Sequence, residues 1–282
     1  LRAGYRYNQG MEKLKDYAEV VSRAERGELV FPTSVNAALR LQLALADPDC
    51  EMEDVIRKVL AEPQLAARTV ALANAAAFNR GSTPVTNVRI AVQRLGFRHL
   101  YSMAASMVVR QFGNRINDPA LRAKADQLWQ HTAHVAALAY IIGRKLTHTD
   151  PDTALFAAIV HEAGGFYLLS CADELPGLLE HPEQWQGAAQ EIITREMMKK
   201  MAIPEPVSQA IVALRGASLM PPPIGLRDTL LVARALAPVP SPLATEAVHS
   251  SLAEFIDGNV ALEQILEESA DDAASMSAAL LA

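Results

Sequence analysis

Two cysteines in 282 residues rule out a disulfide framework, because Cys50 and Cys171 stand far apart and in no spacing that a metal site uses. They read as buried thiols of a protein kept in a reducing compartment, so the expected location is the cytoplasm. Aromatic residues make up only 5% of the chain, too few for the stacking platforms of a single-strand nucleic-acid binder. Period-two alternation is almost missing, which leaves little from which to build a sheet. The most apolar stretch, Thr153 to Ala172, is broken by His161, Glu162 and two glycines; it reads as a buried core helix with its continuation, not as a membrane span. No signal peptide is visible, and a chain that begins at Leu1 reads as an excised or processed piece with further sequence upstream.

What is present is apolar content at helical spacing. Half of the residues are hydrophobic, enough for a large core without disulfide or metal staples. Val35, Ala38, Leu39 and Leu43 recur at steps of three and four until Asp47-Pro48; Met52, Val55, Ile56, Val59 and Leu60 form a second such run, and Leu65, Ala66, Thr69, Leu72 and Ala73 a third. Val88 to Leu95 then reaches Gly96, a natural helix-ending glycine, before a longer amphipathic run through Met103 and Met107. The polar stretch Asn114 to Pro119 reads as a seam. Beyond it lie a helix through Trp129 and His131, one after Asp150-Pro151 carrying His161, and helices near 186 to 201, 205 to 217 and 226 to 237. Met197, Met198 and Met201 read as core, and Trp129 and Trp185 as packing anchors. His99, His148, His181 and His249 have no partner that the sequence names.

The net charge of −6 is unevenly placed. Arg80 to Lys124 carries eight basic residues against Asp118, whereas Thr245 to Ala282 carries eight acids and no Lys or Arg. An internal match is the simplest reading: the acidic tail docks as helices on the arginine-rich face and acts as a lid. The exposed alternative makes Arg89, Arg94, Arg98 and Arg110 a partner-binding face. The segment Met11 to Arg26 shows only a narrow apolar stripe, so it is expected to add little to the core and to join an upstream domain or a second copy as a homodimer.

Candidate chemistry gathers at His131 and at His161-Glu162. Two imidazoles, a carboxylate and a water make a legal catalytic set for a first-row divalent ion; equally, they make satisfied core residues.

Ordered motifs resemble a known family. Phe31-Pro32, Asp47-Pro48, Glu62-Pro63-Gln64-Leu65-Ala66-Ala67-Arg68, Leu72-Ala73-Asn74-Ala75-Ala76-Ala77-Phe78 and Ile90-Ala91-Val92-Gln93-Arg94-Leu95-Gly96-Phe97 resemble the first half of an HDOD domain, the HD-related output domain of bacterial signalling proteins. Trp129-Gln130-His131-Thr132 and His161-Glu162-Ala163-Gly164-Gly165 resemble its second half, for a coverage of residues 29 to 240. The resemblance implies an all-α fold of two packed helical subdomains, the second an HD-phosphohydrolase-like bundle. The implied division is a linker helix at 1–28, subdomains at 29–118 and 119–240, and acidic helices at 241–282.

Set against catalytic HD relatives, the acid after His161 is Glu162, and Gly165 stands where a lysine is expected. Gln190 and Leu214-Arg215 fall where further histidines occur, and Arg234 where the closing aspartate does. A unit charge about 4 Å from a divalent ion, at an effective dielectric near 20, implies roughly 8 kcal/mol of repulsion. The resemblance therefore implies vestigial metal-site positions at His131, His161, Glu162 and Arg234, with no metal, no cofactor and no catalysis, and with Arg234 paired to Glu162. The expected function is a regulatory output that relays a signal from an attached or partner sensor or receiver domain. Residual metal-dependent phosphohydrolase activity on nucleotides or cyclic dinucleotides is the first alternative, and nucleotide or nucleic-acid binding by the Arg80–Lys124 face the second.

Overall fold

Short polar residues or prolines open several helices of this chain. The computed structural model describes residues 18–29, 36–76, 78–79, 83–175, 178–180, 188–244 and 250–281. Within them α1 covers residues 18–25, and α2 (Asn36–Leu45), α3 (Met52–Leu60) and α4 (Pro63–Ala73) follow. Next come α5 (Val88–Gly113), α6 (Pro119–Lys145), α7 (Pro151–Val160) and α8 (Ala163–Glu174). The series continues with α9 (Ala188–Lys200), α10 (Glu205–Val212) and α11 (Gly225–Leu236), and ends with α12 (Ser250–Ile256), α13 (Val260–Glu268) and α14 (Ala270–Leu281). The described residues contain no strand, so the chain is all-α. Asp118 caps α6 through the amides of Ala120 and Leu121, at 2.8 and 2.9 Å, with Pro119 in the first turn. Asp150 caps α7 through Thr153 N at 2.7 Å, and Asn87 caps α5 through Ile90 N at 2.9 Å. Each such cap contributes about 1 kcal/mol.

Two long helices organise the rest. Gly96, at φ 71° and ψ 176°, breaks α5 into two helical pieces, a conformation that a side chain would strain. On one side α5 packs against α2, α3 and α4; on the other it meets α7 and α8. Its end approaches α6 closely: a Cβ on Gly113 would stand 3.2 Å from Ala125 Cβ. Helix α6 in turn packs on α7, α11 and α14, with Trp129 set edge-on to Phe166 at 6.3 Å. One hydrophobic core therefore runs through both halves. The stretch Pro151–Glu174 is long and apolar enough to cross a membrane by composition, but 89% of its most apolar window is buried in the fold. It is a buried core helix, α7, with its continuation α8 after the interruption at His161-Glu162.

Several expectations need correction. Val20 and Ala24 of α1, and Leu29 after it, are 2%, 0% and 2% exposed, so residues 18–29 contribute to the core more than the expectation allowed; the part of Met11 to Arg26 before residue 18 lies outside the described residues. Both cysteines are half-buried, and burial lifts the Cys171 thiol to about 11. His99 has partners after all: its Nδ1 donates to Leu95 O at 2.7 Å, and its Nε2 lies 2.9 Å from Asp152 Oδ1, an ion-pair contact out of hydrogen-bond alignment. Met197, Met198 and Met201 are core. Trp185, His181 and His249 lie outside the described residues.

The tail does dock, though not as an electrostatic lid. Leu252, Leu262, Met276 and Leu280 are buried, and α14 packs mainly on α6 with a smaller contact to α4. Glu268 pairs with Lys145 at 3.2 Å, outside the arginine-rich block, and Ser275 Oγ accepts from Ala76 N at 2.9 Å. Of the four arginines offered as a partner-binding face, three have partners elsewhere in the fold. Arg89 forks onto Glu53, Arg98 reaches Asp150 Oδ2 at 3.1 Å, and Arg94 donates to Asn79 Oδ1 at 2.6 Å. Only Arg110 meets the tail, at Leu281 O, 3.3 Å. The match is internal, but local acids and carbonyls supply it, because they lie nearer in the fold than the tail does.

Candidate functional site

Three buried side chains converge where α6 faces the α7–α8 turn. His131 projects from α6, and its Nδ1 donates to Val239 O at 2.7 Å. His161 ends α7, and its Nδ1 donates to Ala158 O at 2.5 Å. With Nδ1 protonated in each ring, the tautomer assigned from these bonds leaves a lone pair on Nε2. Both Nε2 atoms are buried and lack a hydrogen-bond partner. Glu162, 7% exposed, places Oε1 3.8 Å from His161 Nε2. The rings stand 5.7 Å apart, and one ligand atom from each of the three residues lies within 4.8 Å of the others.

Electrostatics keeps the imidazoles neutral. Burial first, and then the charge of Arg234, hold His161 well below its ordinary pKa. Burial also lowers His131, and Arg234 adds to this, against the opposing pull of Glu162 and Val239 O. Arg234, half-buried on α11, is thus close enough to act on both rings, but no ion pair within 4.0 Å joins it to Glu162. The expected replacement of an ion by an Arg234–Glu162 pair does not form. By donor type and tautomer, His131, His161 and Glu162 fit one first-row divalent ion, and the carbonyl-anchored Nδ1 atoms are the outer contacts that orient such ligands. Ligand atoms on one ion with bonds of about 2.1 Å stand at most about 4.2 Å apart, so the set would have to draw together slightly. No fourth His, Cys, Asp or Glu joins the group among the described residues, and a cation stands nearby.

The two glycines after Glu162 are packing devices, a role beyond the tight helix exit that their pairing implies. A Cβ on Gly164 would meet Thr194 Oγ1 of α9 at 2.5 Å. One on Gly165 would meet Leu243 Cδ1 at 2.8 Å and Glu162 Oε2 at 3.0 Å, so the glycine makes room for the carboxylate. A lysine there would need that same space. Gln190 and Arg215, read as lost ligand positions, bond to each other at 2.9 Å.

Because both imidazoles are depressed in the fold, the unfolded chain binds more protons below its ordinary histidine pKa of about 6.5. Stability is fully present above that value and falls as pH drops from it through the lower folded pKa values, by no more than about 1.4 kcal/mol per pH unit for each site. Urea denaturation from pH 7.5 to 5 should show this loss, with a shallower slope in His161→Gln. An equal slope in that variant would remove His161 from the account.

Comparison with known proteins places this geometry in context. A model of the HDOD domain matches residues 31–203. A provisionally assigned metal-dependent phosphohydrolase from Shewanella amazonensis SB2B shares the fold with a TM-score of 0.66 at 19% identity, over 94% of this chain and 99% of that one. An HDOD domain protein of unknown function from Geobacter sulfurreducens gives 0.61 at 18% identity, over 96% and 97%. A provisionally assigned signal transduction protein from Marinobacter aquaeolei VT8 gives 0.56 at 18% identity, over 95% of this chain and 65% of that one. A search of curated proteins finds no match.

Proposed function

Since the chain belongs to the HDOD domain family, we propose that it is a signal-transduction output module that acts by protein contact, without turnover at the His131–His161–Glu162 cluster. The observation that carries this reading is Arg234. A cation acts on both imidazoles, and its charge opposes a divalent ion at a place where two imidazoles, a carboxylate and a water would otherwise complete a catalytic set. The cationic contact to a substrate phosphate is missing as well, since Gly165 occupies that place and is filled from two sides. What remains is a rigid helical body whose surface can relay a signal from an attached or partner sensor or receiver domain in the cytoplasm. The signalling name borne by the Marinobacter aquaeolei neighbour is consistent with that role.

A second reading has one specific observation in its favour. Both Nε2 lone pairs are buried without a protein partner, which a bound ion would relieve. In that case the three residues hold the ion, the ion supplies Lewis acidity toward a phosphodiester, and the protein keeps the imidazoles neutral and oriented. Elemental analysis of the purified chain separates the two. Well under one transition-metal ion per chain is expected; one ion per chain, lost in His161→Ala, favours the second reading. Nucleic-acid binding by the arginine face loses support, because Arg89, Arg94 and Arg98 are committed to internal partners.

A further inference from the structure

A cavity of about 450 Å³ opens between α4 and the C-terminal part of α5, away from any residue of the His131 cluster in its lining. Gln64 and Arg68 reach it from one turn of α4; Met107, Arg110, Gln111 and Asn114 reach it from one face of α5. Two guanidiniums share this lining with no carboxylate. Arg68 makes no hydrogen bond or ion pair with the described residues and is more than half buried. Burial, and then the charge of Arg110, pull its pKa down to about 10. Arg110 is held by Leu281 O at 3.3 Å and by the face of Trp129 at 5.7 Å; Asp126 is the acid whose charge it feels. Gln111 Oε1 is buried without a partner. Like charges left together, one of them unpaired, are an unfavourable arrangement that an anion relieves, and Arg forks suit phosphate oxygens. The volume exceeds what a bare phosphate needs and lies in the range of small-molecule sites. Met107 offers an apolar wall, and the amides of Gln64, Gln111 and Asn114 offer donors and acceptors.

We propose that this cavity binds a small phosphorylated metabolite of nucleotide size, with its phosphate between Arg68 and Arg110 and its organic part against Met107. The site is independent of whether the His131 cluster turns over substrate. It is coupled to the end of α14, because the ligand draws on the guanidinium that holds Leu281 O. Calorimetric titration of the whole chain with AMP, adenosine and inorganic phosphate tests it. AMP should bind and raise the melting temperature, phosphate should bind more weakly, and adenosine should not bind. Arg68→Gln should weaken AMP by about ten- to a hundredfold, the worth of one hydrogen-bonded charge, while leaving the melting temperature of the free protein unchanged or higher because a like-charge contact is gone. Gln64→Glu, at an exposed position, should weaken AMP in the same direction with the fold intact. Absence of AMP binding, adenosine binding as well as AMP, or Arg68→Gln binding like the unaltered chain would each overturn the proposal.

Discussion

Replacing Arg234 with aspartate is expected to raise the divalent-ion affinity of the cluster well above that of the unaltered chain. The substitution removes the charge that acts on His131 and His161 and adds a carboxylate beside two imidazoles whose Nε2 atoms already lack partners. Arg234 is half-buried and forms no ion pair with the acids among the described residues, so its loss should leave the body of the fold intact. With Mn²⁺ or Zn²⁺ at a hundred times the dissociation constant, the variant should gain about 2.7 kcal/mol, readable as a rise in melting temperature that EDTA reverses. The unaltered chain should not respond. An equal response in both proteins would mean that Arg234 does not block the site; no response in the variant would mean that the geometry, and not the charge, keeps the ion out.

Removing α12 to α14 should nearly abolish cooperative folding. Leu252, Leu262, Met276 and Leu280 are 5%, 1%, 0% and 2% exposed; α13 and α14 pack on α6, the helix that carries His131 and Trp129, and α12 packs on α11. At about 1.5–3 kcal/mol for each buried aliphatic side chain, their loss approaches the entire stability of an ordinary domain. A chain ending at residue 244 should therefore melt without a sharp transition and bind a hydrophobic dye. Sharp melting close to that of the full chain would return the tail to the part of a removable lid.

Much of this architecture is legible in the sequence, for physical reasons that differ by residue. Helix boundaries at Asp118-Pro119 and Asp150-Pro151 are visible because a cap and a proline act locally. The break at Gly96 is visible because only glycine takes a positive φ without strain. His131, His161 and Glu162 come together as their motif context implies, although thirty positions separate the histidines. Other features depend on distances that no local pattern carries. The hydrogen bond from His131 to Val239 O joins residues 108 apart, and the His99–Asp152 contact links α5 to the first turn of α7. The placement of the arginines fails for a related reason: net charge along a segment says nothing about which acid lies nearest in space, and Arg89 found Glu53, not the tail. Gly164 and Gly165 look like a helix exit, and only Thr194 and Leu243, brought in from far along the chain, reveal why a side chain is excluded. The Arg68–Arg110 cavity has no sequence signature, because its two halves come from helices that align only after folding.

Turnover by the unaltered full chain is the most direct test of the central claim. Purified protein, supplied in turn with Mn²⁺, Mg²⁺, Fe²⁺ and Zn²⁺, would be incubated with cyclic dinucleotides and with a generic chromogenic phosphodiester, beside His161→Ala prepared in the same way. A regulatory module with Arg234 at its cluster should release product no faster than His161→Ala under any of these conditions. Metal-dependent hydrolysis that disappears in His161→Ala would contradict the account and make the chain an enzyme.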